Sequence, residues 1–256
     1  MSDATTTPAD SAATSRQDDA PVLWITGAGS GMGRATALLA ASGGRRVAVS
    51  GRREDALRET VRLIEEDGGS AVVVPCDVRD GSSVIGARDA ILRRWGSIDE
   101  LVLSAGLNSP QRTWADQTMD SFDDIVQTNL TAVARVVDAA LPALRRARGQ
   151  IVVVSSFSAW QFSPGAGVAY SASKSALASV CRTVNVQEAA SGVRACHLCP
   201  GDVDTDFLAM RPVVPGGEAR ERMLTPTDVA RTALFVLDSP AHVRIDELVV
   251  SPVSQV

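Results

Sequence analysis

The sequence predicts a single doubly wound α/β domain. Short β-rich runs alternate with longer helical patterns, no internal repeat or long linker interrupts the series, and a glycine-rich turn joins the first run to the first helix. Such alternation marks a parallel sheet with helices on both faces, since each strand reaches its parallel neighbour only through a crossover.

The elements follow in order. Val22 to Thr26 is the first apolar run, and the helical pattern Met32 to Ser42 begins directly after the glycines. Arg46 to Ser50 is the second strand, followed by a helix from Arg53 to Asp67. Ala71 to Cys76, rich in Val, is the third strand, with Ser82 to Trp95 as its helix. Leu101 to Ser104 leads to one long helical pattern, Ser121 to Arg148. Gln150 to Ser155 precedes the helix Ala169 to Ala190. Val193 to Leu198, the helix Pro226 to Leu237 and the strand Glu247 to Val250 close the series. Seven strands and six helices make a domain over residues 21–256, expected to bind its ligand at the carboxyl ends of the strands. Met1 to Ala20, rich in Thr, Ser, Ala and Asp, is expected to be a disordered tail.

Composition excludes several classes. The 256 residues are 45% hydrophobic and 21% charged, with 4 Cys and a net charge of -5, which fits neither a disordered chain nor a disulfide scaffold. No basic stripe offers itself to nucleic acid, and no run of 18 apolar residues could span a bilayer. The start lacks the basic and apolar stretches of a secretory signal, so a cytoplasmic protein is expected. Cys196-His197-Leu198-Cys199 looks like a metal or redox site, but residues three apart on a strand face opposite ways, and no second CxxC exists. Buried strand cysteines and no metal are the expectation. Two His and no G-x-S-x-G elbow argue against a Ser-His-Asp hydrolase.

Strand one runs into Thr26-Gly27-Ala28-Gly29-Ser30-Gly31-Met32-Gly33. Glycines there allow a tight turn, let a pyrophosphate approach bare backbone, and let the helix pack on the strand, while the helix N-terminus attracts the anion. Gly27, Gly29, Ser30, Gly31, Met32 and Gly33 are therefore the candidate dinucleotide cradle. After strand two, an acid would select the ribose 2′-OH of NAD. The chain has Ser50-Gly51-Arg52-Arg53 instead, and Arg52 and Arg53 suit a 2′-phosphate, so NADP(H) is favoured with NAD(H) the alternative.

The chemistry is suggested by an oddity of usage. Of 25 basic residues only Lys174 is Lys, and Tyr170, four residues earlier, is the only Tyr. Chance places the one Lys there about once in 250, which makes the pair a lead. On a helix the two share a face, where an ammonium would favour the phenolate and make Tyr170 a usable acid or base toward a carbonyl or alcohol.

The TGxxxGxG turn followed far downstream by Tyr170-Ser171-Ala172-Ser173-Lys174 resembles the short-chain dehydrogenase/reductase family, in its small single-domain branch, over nearly the whole chain from Pro21. The resemblance implies a Rossmann-type fold with strand order 3-2-1-4-5-6-7 and a hydride transfer between a nicotinamide and a CH–OH or carbonyl carbon. It implies that Ser156 hydrogen-bonds the substrate oxygen, with Ser158 as rival, and that Asn129 supports a water linking Lys174 to solvent. Asp77, with Val78 beside it, matches the adenine position, and Ser104-Ala105-Gly106 stands where the family usually has Asn-Ala-Gly. Pro200, Gly201, Val203 and Thr205 match the segment holding the nicotinamide amide and phosphates. Members usually form dimers or tetramers through their long helices, so a homo-oligomer is implied.

The substrate pocket is expected from Trp114, Phe157, Trp160, Phe162, Phe207 and Met210, together with Ser156 and Ser158, and Arg211 is weighed as a carboxylate partner but read as solvated. An NADP-dependent carbonyl reductase or alcohol or hydroxy acid dehydrogenase acting on a small molecule is the leading expectation. A non-catalytic nucleotide sensor would commonly lack Tyr170 and Lys174, an NAD-preferring member stays open, and an extended epimerase would need a further substrate domain.

Overall fold

A computed structural model describes residues 19–255; the expected tail falls almost wholly outside the described residues. Ala20 is already held, its carbonyl accepting from Arg46 Nε and Nη2 at 2.9 and 2.6 Å.

Seven parallel strands form one sheet in the order β3-β2-β1-β4-β5-β6-β7. The strands are β1 (Val22–Thr26), β2 (Arg46–Gly51), β3 (Ser70–Pro75), β4 (Glu100–Leu103), β5 (Gln150–Val154), β6 (Arg194–Pro200) and β7 (Glu247–Val250). Each lies within a residue or two of its expected place. Every residue of β1, β4 and β5 is buried, as the continuous apolar runs of a doubly covered sheet require.

The main helices are α1 (Gly31–Ser42), α2 (Glu54–Glu66), α3 (Gly81–Trp95), α4 (Met119–Val126), α5 (Ala132–Ala147), α6 (Phe157–Trp160), α7 (Val168–Gln187), α8 (Gly217–Arg220) and α9 (Pro226–Leu237). They cover the sheet in two layers. Alternate strand residues Val22, Trp24, Leu101, Leu103, Ile151 and Val153 pack under α3, α5 and α7. Their neighbours Leu23, Ile25, Val102, Val152 and Val154 pack under α1, α2 and α9. The one polar atom of buried Trp24 is satisfied by Ser50 Oγ at 2.8 Å, tying β1 to β2.

Two helical expectations are corrected. The single helix Ser121 to Arg148 is in fact α4, a π-helical segment Gln127–Thr131, and α5. The Ala132 N–H donates to Gln127 O, five residues back, so one turn holds an extra residue. Residues Ala169 to Ala190 are not one helix either: α7 stops at Gln187 and a 3₁₀ turn, Ala189–Ser191, carries the chain into left-handed Gly192. The short helices α6 and α8, four residues each and too short to show apolar periodicity, were not expected.

The register aligns the carboxyl ends of β1, β4 and β5: Thr26 stands opposite Leu103, and Leu103 opposite Val153. The loops leaving these strands therefore meet at one rim of the sheet.

Candidate active site

At that rim a cavity of about 1120 Å³ runs from Arg52 and Arg53 across the glycine turn to Tyr170 and Phe207. Gly27 has φ +71°, and a Cβ there would sit 2.8 Å from Ala105 N, so the turn lies directly against the Ala105-Gly106 backbone. A Cβ on Gly33 would be 2.3 Å from Gly27 O; this residue packs α1 onto the turn and does not line the cavity. Ser30, at the N-cap of α1, makes no side-chain cap bond, which leaves the first-turn N–H groups free for an anion. Arg34 braces the turn from behind, donating to Gly29 O at 2.5 Å and Thr60 Oγ1 at 3.0 Å.

Gly29, Ser30, Gly31, Met32, Asp77, Val78, Ser104, Ala105, Gly106, Pro200, Gly201, Val203 and Thr205 all line the cavity with Gly27. Arg52 and Arg53 are exposed on its wall, and Arg53 Nη2 donates to Ser30 Oγ at 3.2 Å. A bare-backbone cradle, an open helix N-terminus and two guanidinium groups beyond it fit a phosphorylated dinucleotide.

The other end holds Ser156, Tyr170 and Lys174. Ser156 follows β5 and caps α6; its Oγ accepts from Ser158 N at 3.2 Å and from Ser158 Oγ at 3.1 Å. Both lone pairs are thereby used, so the Ser156 hydroxyl hydrogen is free to donate into the cavity. Ser158, 7% exposed, lines the cavity beside it. Tyr170 and Lys174 share a face of α7, with Lys174 Nζ 5.8 Å from the phenol ring centroid and donating to Val154 O at 2.8 Å. Phe207, in the 3₁₀ segment Asp206–Met210, leans on the Tyr170 ring at 6.1 Å between centroids.

Burial pushes the Tyr170 phenol above its ordinary value of 10, opposed by the Ser156 hydroxyl and by the charges of Arg112 and Arg211. Arg112 and Arg211 are thus further cations acting on the phenol, beside Lys174 with its Nζ 5.8 Å from the ring centroid. The Lys174 ammonium is engaged with the Val154 carbonyl and is itself pushed down to about 8 by burial.

That depression has a sign in stability. Between pH 8 and 10.5 the unfolded chain holds a proton at Lys174 that the folded chain releases, so stability rises with pH across that window and the full penalty applies below it. Lys174→Met keeps the stem and removes the charge. It is expected to stabilise the protein at pH 7 by about 1–3 kcal/mol. Urea unfolding at pH 7 and pH 10 checks this: the gain should shrink at the higher pH, and a variant less stable at both would refute it.

Asn129 is fully buried in the π-helical segment and does not line the cavity. Its Oδ1 accepts from Leu107 N at 2.8 Å, and its Nδ2 donates to Leu107 O at 2.9 Å and Ser173 Oγ at 3.2 Å. It clamps the loop after β4 beside Gly106, where a Cβ would lie 3.6 Å from Asn129 Oδ1 and 3.8 Å from Lys174 Nζ.

Two pocket expectations fail. Trp160 is 52% exposed, stacks edge-on against Phe157 at 5.3 Å and does not line the cavity; Trp114 is 81% exposed and also lies outside it. Phe157, Phe162, Phe207 and Met210 do line it. Arg211 is ion-paired with Asp202 rather than solvated. Sequence reasoning missed Arg112, which is buried on the cavity wall; nothing in its local pattern distinguishes it from the other arginines.

Cys196 packs in the core under α1 and α9, while Cys199 shares the opposite strand face with His197, 3.4 Å from its Nδ1. His197, Cys199 and Glu247 have ligand atoms within 4.8 Å of one another, and a 3.0 Å contact joins His197 Nδ1 to Glu247. Burial pushes the Cys199 thiol up to about 12, which keeps it protonated. No helix of the described residues is long and apolar enough to cross a membrane.

Residues 21–212 match the family model for short chain dehydrogenases. The chain belongs to the short-chain dehydrogenase family. It is an oxidoreductase of that family, and other members resemble it along nearly their full length. An uncharacterized oxidoreductase of Staphylococcus aureus strain MW2 is 30% identical over 230 residues, covering 90% of this chain and 96% of that protein. The crystal structure of an alcohol dehydrogenase from the archaeon Thermococcus sibiricus, complexed with 5-hydroxy-NADP, superposes with a TM-score of 0.83 at 30% identity, covering 93% of this chain and 98% of that one. A 3-ketoacyl-(acyl-carrier-protein) reductase from Brucella melitensis, complexed with NADH, gives 0.83 at 25% identity over 91% and 97%. These short-chain dehydrogenases carry either form of the cofactor.

Proposed function

We propose that the protein is an NADP-dependent oxidoreductase that interconverts a small carbonyl compound and its secondary alcohol. The observation carrying this reading is the convergence of Ser156, Tyr170 and Lys174 at one end of a cavity whose other end is the glycine turn. Gly27, Gly29, Gly31 and the N-terminus of α1 would hold the pyrophosphate, Thr205 and Val203 the nicotinamide end, and Asp77 and Val78 the adenine. When bound, the nicotinamide supplies the hydride donor or acceptor.

The chain's own residues do the rest. Ser156 donates its free hydroxyl hydrogen to the substrate oxygen. Tyr170, kept protonated at neutral pH by its burial, gives that oxygen a proton in reduction; in oxidation it must first release its own proton, and the phenolate then takes the proton of the alcohol. Lys174 has donors left after its bond to Val154 O, enough to meet a ribose hydroxyl and to resupply the proton. Asn129 is a positioning residue that fixes the Gly106-Leu107 backbone between the two ends of the cavity. A cytoplasmic homo-oligomer is part of the same reading.

A panel of aldehydes, ketones and oxo acids followed by NADPH and NADH absorbance tests the activity; the reading predicts turnover of at least one carbonyl class. Arg52 carries the preference for the 2′-phosphate. Arg52→Ala is expected to raise KM for NADPH about 10- to 100-fold and leave KM for NADH within about threefold. An equal effect on both nucleotides would remove the assignment.

A further inference from the structure

Arg112 is the unexplained cation of the cavity. It is 7% exposed and lines the wall near Tyr170, and among the described residues it takes part in no ion pair. Three carbonyls hold it: Ser109 O accepts from Nε at 2.9 Å, Gly165 O from Nη1 at 3.1 Å, and Met210 O from Nη2. A guanidinium has five N–H groups, so one hydrogen on each terminal nitrogen is left over. Dipoles of carbonyl groups orient a cation but do not neutralise it.

Its position is built. Gly167, at φ +96°, opens α7 with no room for a Cβ, because one would lie 2.6 Å from Arg112 Cβ. Val168 N donates to Arg112 O at 3.2 Å, which seats Arg112 against the first turn of the helix carrying Tyr170. The second cation of this wall, Arg211, is matched by Asp202. Asp206, the other acid there, is exposed. Apart from Lys174, which serves the proton transfer, one cation without an acidic partner therefore remains inside the substrate half.

We propose that Arg112 receives a carboxylate of the substrate, so that the enzyme acts on an oxo acid and the corresponding hydroxy acid. A carboxylate supplies one negative charge and two oxygens for the two remaining N–H groups, whereas a phosphate would bring a charge nearly twice as large to a single cation. With the carboxylate on Arg112, the oxo group of the same molecule faces Ser156 and Tyr170. Hydride and proton then add across that C=O bond to give the hydroxy acid, and the reverse transfer returns the oxo acid. Burying a cation without its counterion is costly, and bound substrate removes that cost. This assignment rests on the carbonyl-reductase reading above.

The test pairs 3-oxobutanoate with its methyl ester, which has the same reacting carbon and no charge. The parent enzyme is expected to favour the acid by about 100-fold in kcat/KM, the size of effect found when one member of a buried charge pair is removed. Arg112→Met should erase that preference, lowering kcat/KM for the acid about 100-fold more than for the ester, and Arg112→Lys should keep part of it. Butanoate should inhibit ester reduction competitively in the parent, a measurement that needs no variant. Equal rates on acid and ester in the parent, or no inhibition by butanoate, would overturn the proposal. An equal fall on both substrates in Arg112→Met would make Arg112 a brace of its three loops and overturn it too. Reduction of neutral carbonyl compounds alone would overturn the carboxylate assignment and leave the reductase reading standing; no turnover of any carbonyl compound with either nucleotide would overturn both.

Discussion

Tyr170→Phe is expected to lower kcat at least about 1000-fold, near the upper range for loss of a general acid placed on the reacting atom, while nucleotide binding stays close to that of the parent. The substitution removes one oxygen. The ring stays in contact with Phe207, and Ser156 still holds its bonds from Ser158. A structural defect would instead show in the melting temperature or in nucleotide affinity, both of which should move little. Steady-state kinetics with NADPH, alongside titration of NADPH fluorescence, separates the two. Residual activity above about a tenth of the parent would remove Tyr170 from proton transfer.

Lys174→Arg keeps the charge and is expected to cost about 100-fold or more in kcat/KM, because a misplacement near 1 Å at the reacting groups suffices for that. The Lys174 ammonium fits a closed space: it is 5% exposed, bonded to Val154 O, and 3.8 Å from where a Cβ on Gly106 would stand. A planar guanidinium is longer and needs in-plane partners. It would push against the Ala105-Gly106 backbone, which Asn129 and the Gly27 turn hold in place. Activity within tenfold of the parent would show that charge alone is required there.

Much of the architecture was legible in the chain. The apolar runs of β1, β4 and β5 are buried on both faces, which is why they read as continuous rather than alternating. The glycine turn was legible because its spacing answers to steric facts seen at Gly27 and Gly33. The Tyr170-Lys174 pair was legible because helical spacing alone brings the two together. The π-helical segment left a fainter sign: Ile125, Asn129, Val133 and Val137, all buried, recur every four residues, a spacing wider than an α-turn.

Other features depend on loop paths that no periodicity encodes. Arg112 became distinctive only once three separate loops supplied its carbonyl partners. Trp160 and Trp114 were misplaced for the same reason, since an aromatic near a strand end can turn inward or outward. The contribution of Arg112 and Arg211 to the phenol, and the bond of Lys174 to Val154, are tertiary facts that helical spacing does not carry.

The burial of Lys174 also bears on how the protein can be handled. It is the only side-chain amine in the chain, since the other 24 basic residues are Arg. Reagents that acylate lysines therefore find no side-chain target on the outer surface and one target on the cavity wall, with its ammonium pushed down to about 8 and so partly unprotonated under mild alkaline conditions. Acylation of this side chain, followed by mass mapping of the peptide that carries it, would report whether the cavity is filled, turning a residue kept for chemistry into a built-in gauge of occupancy.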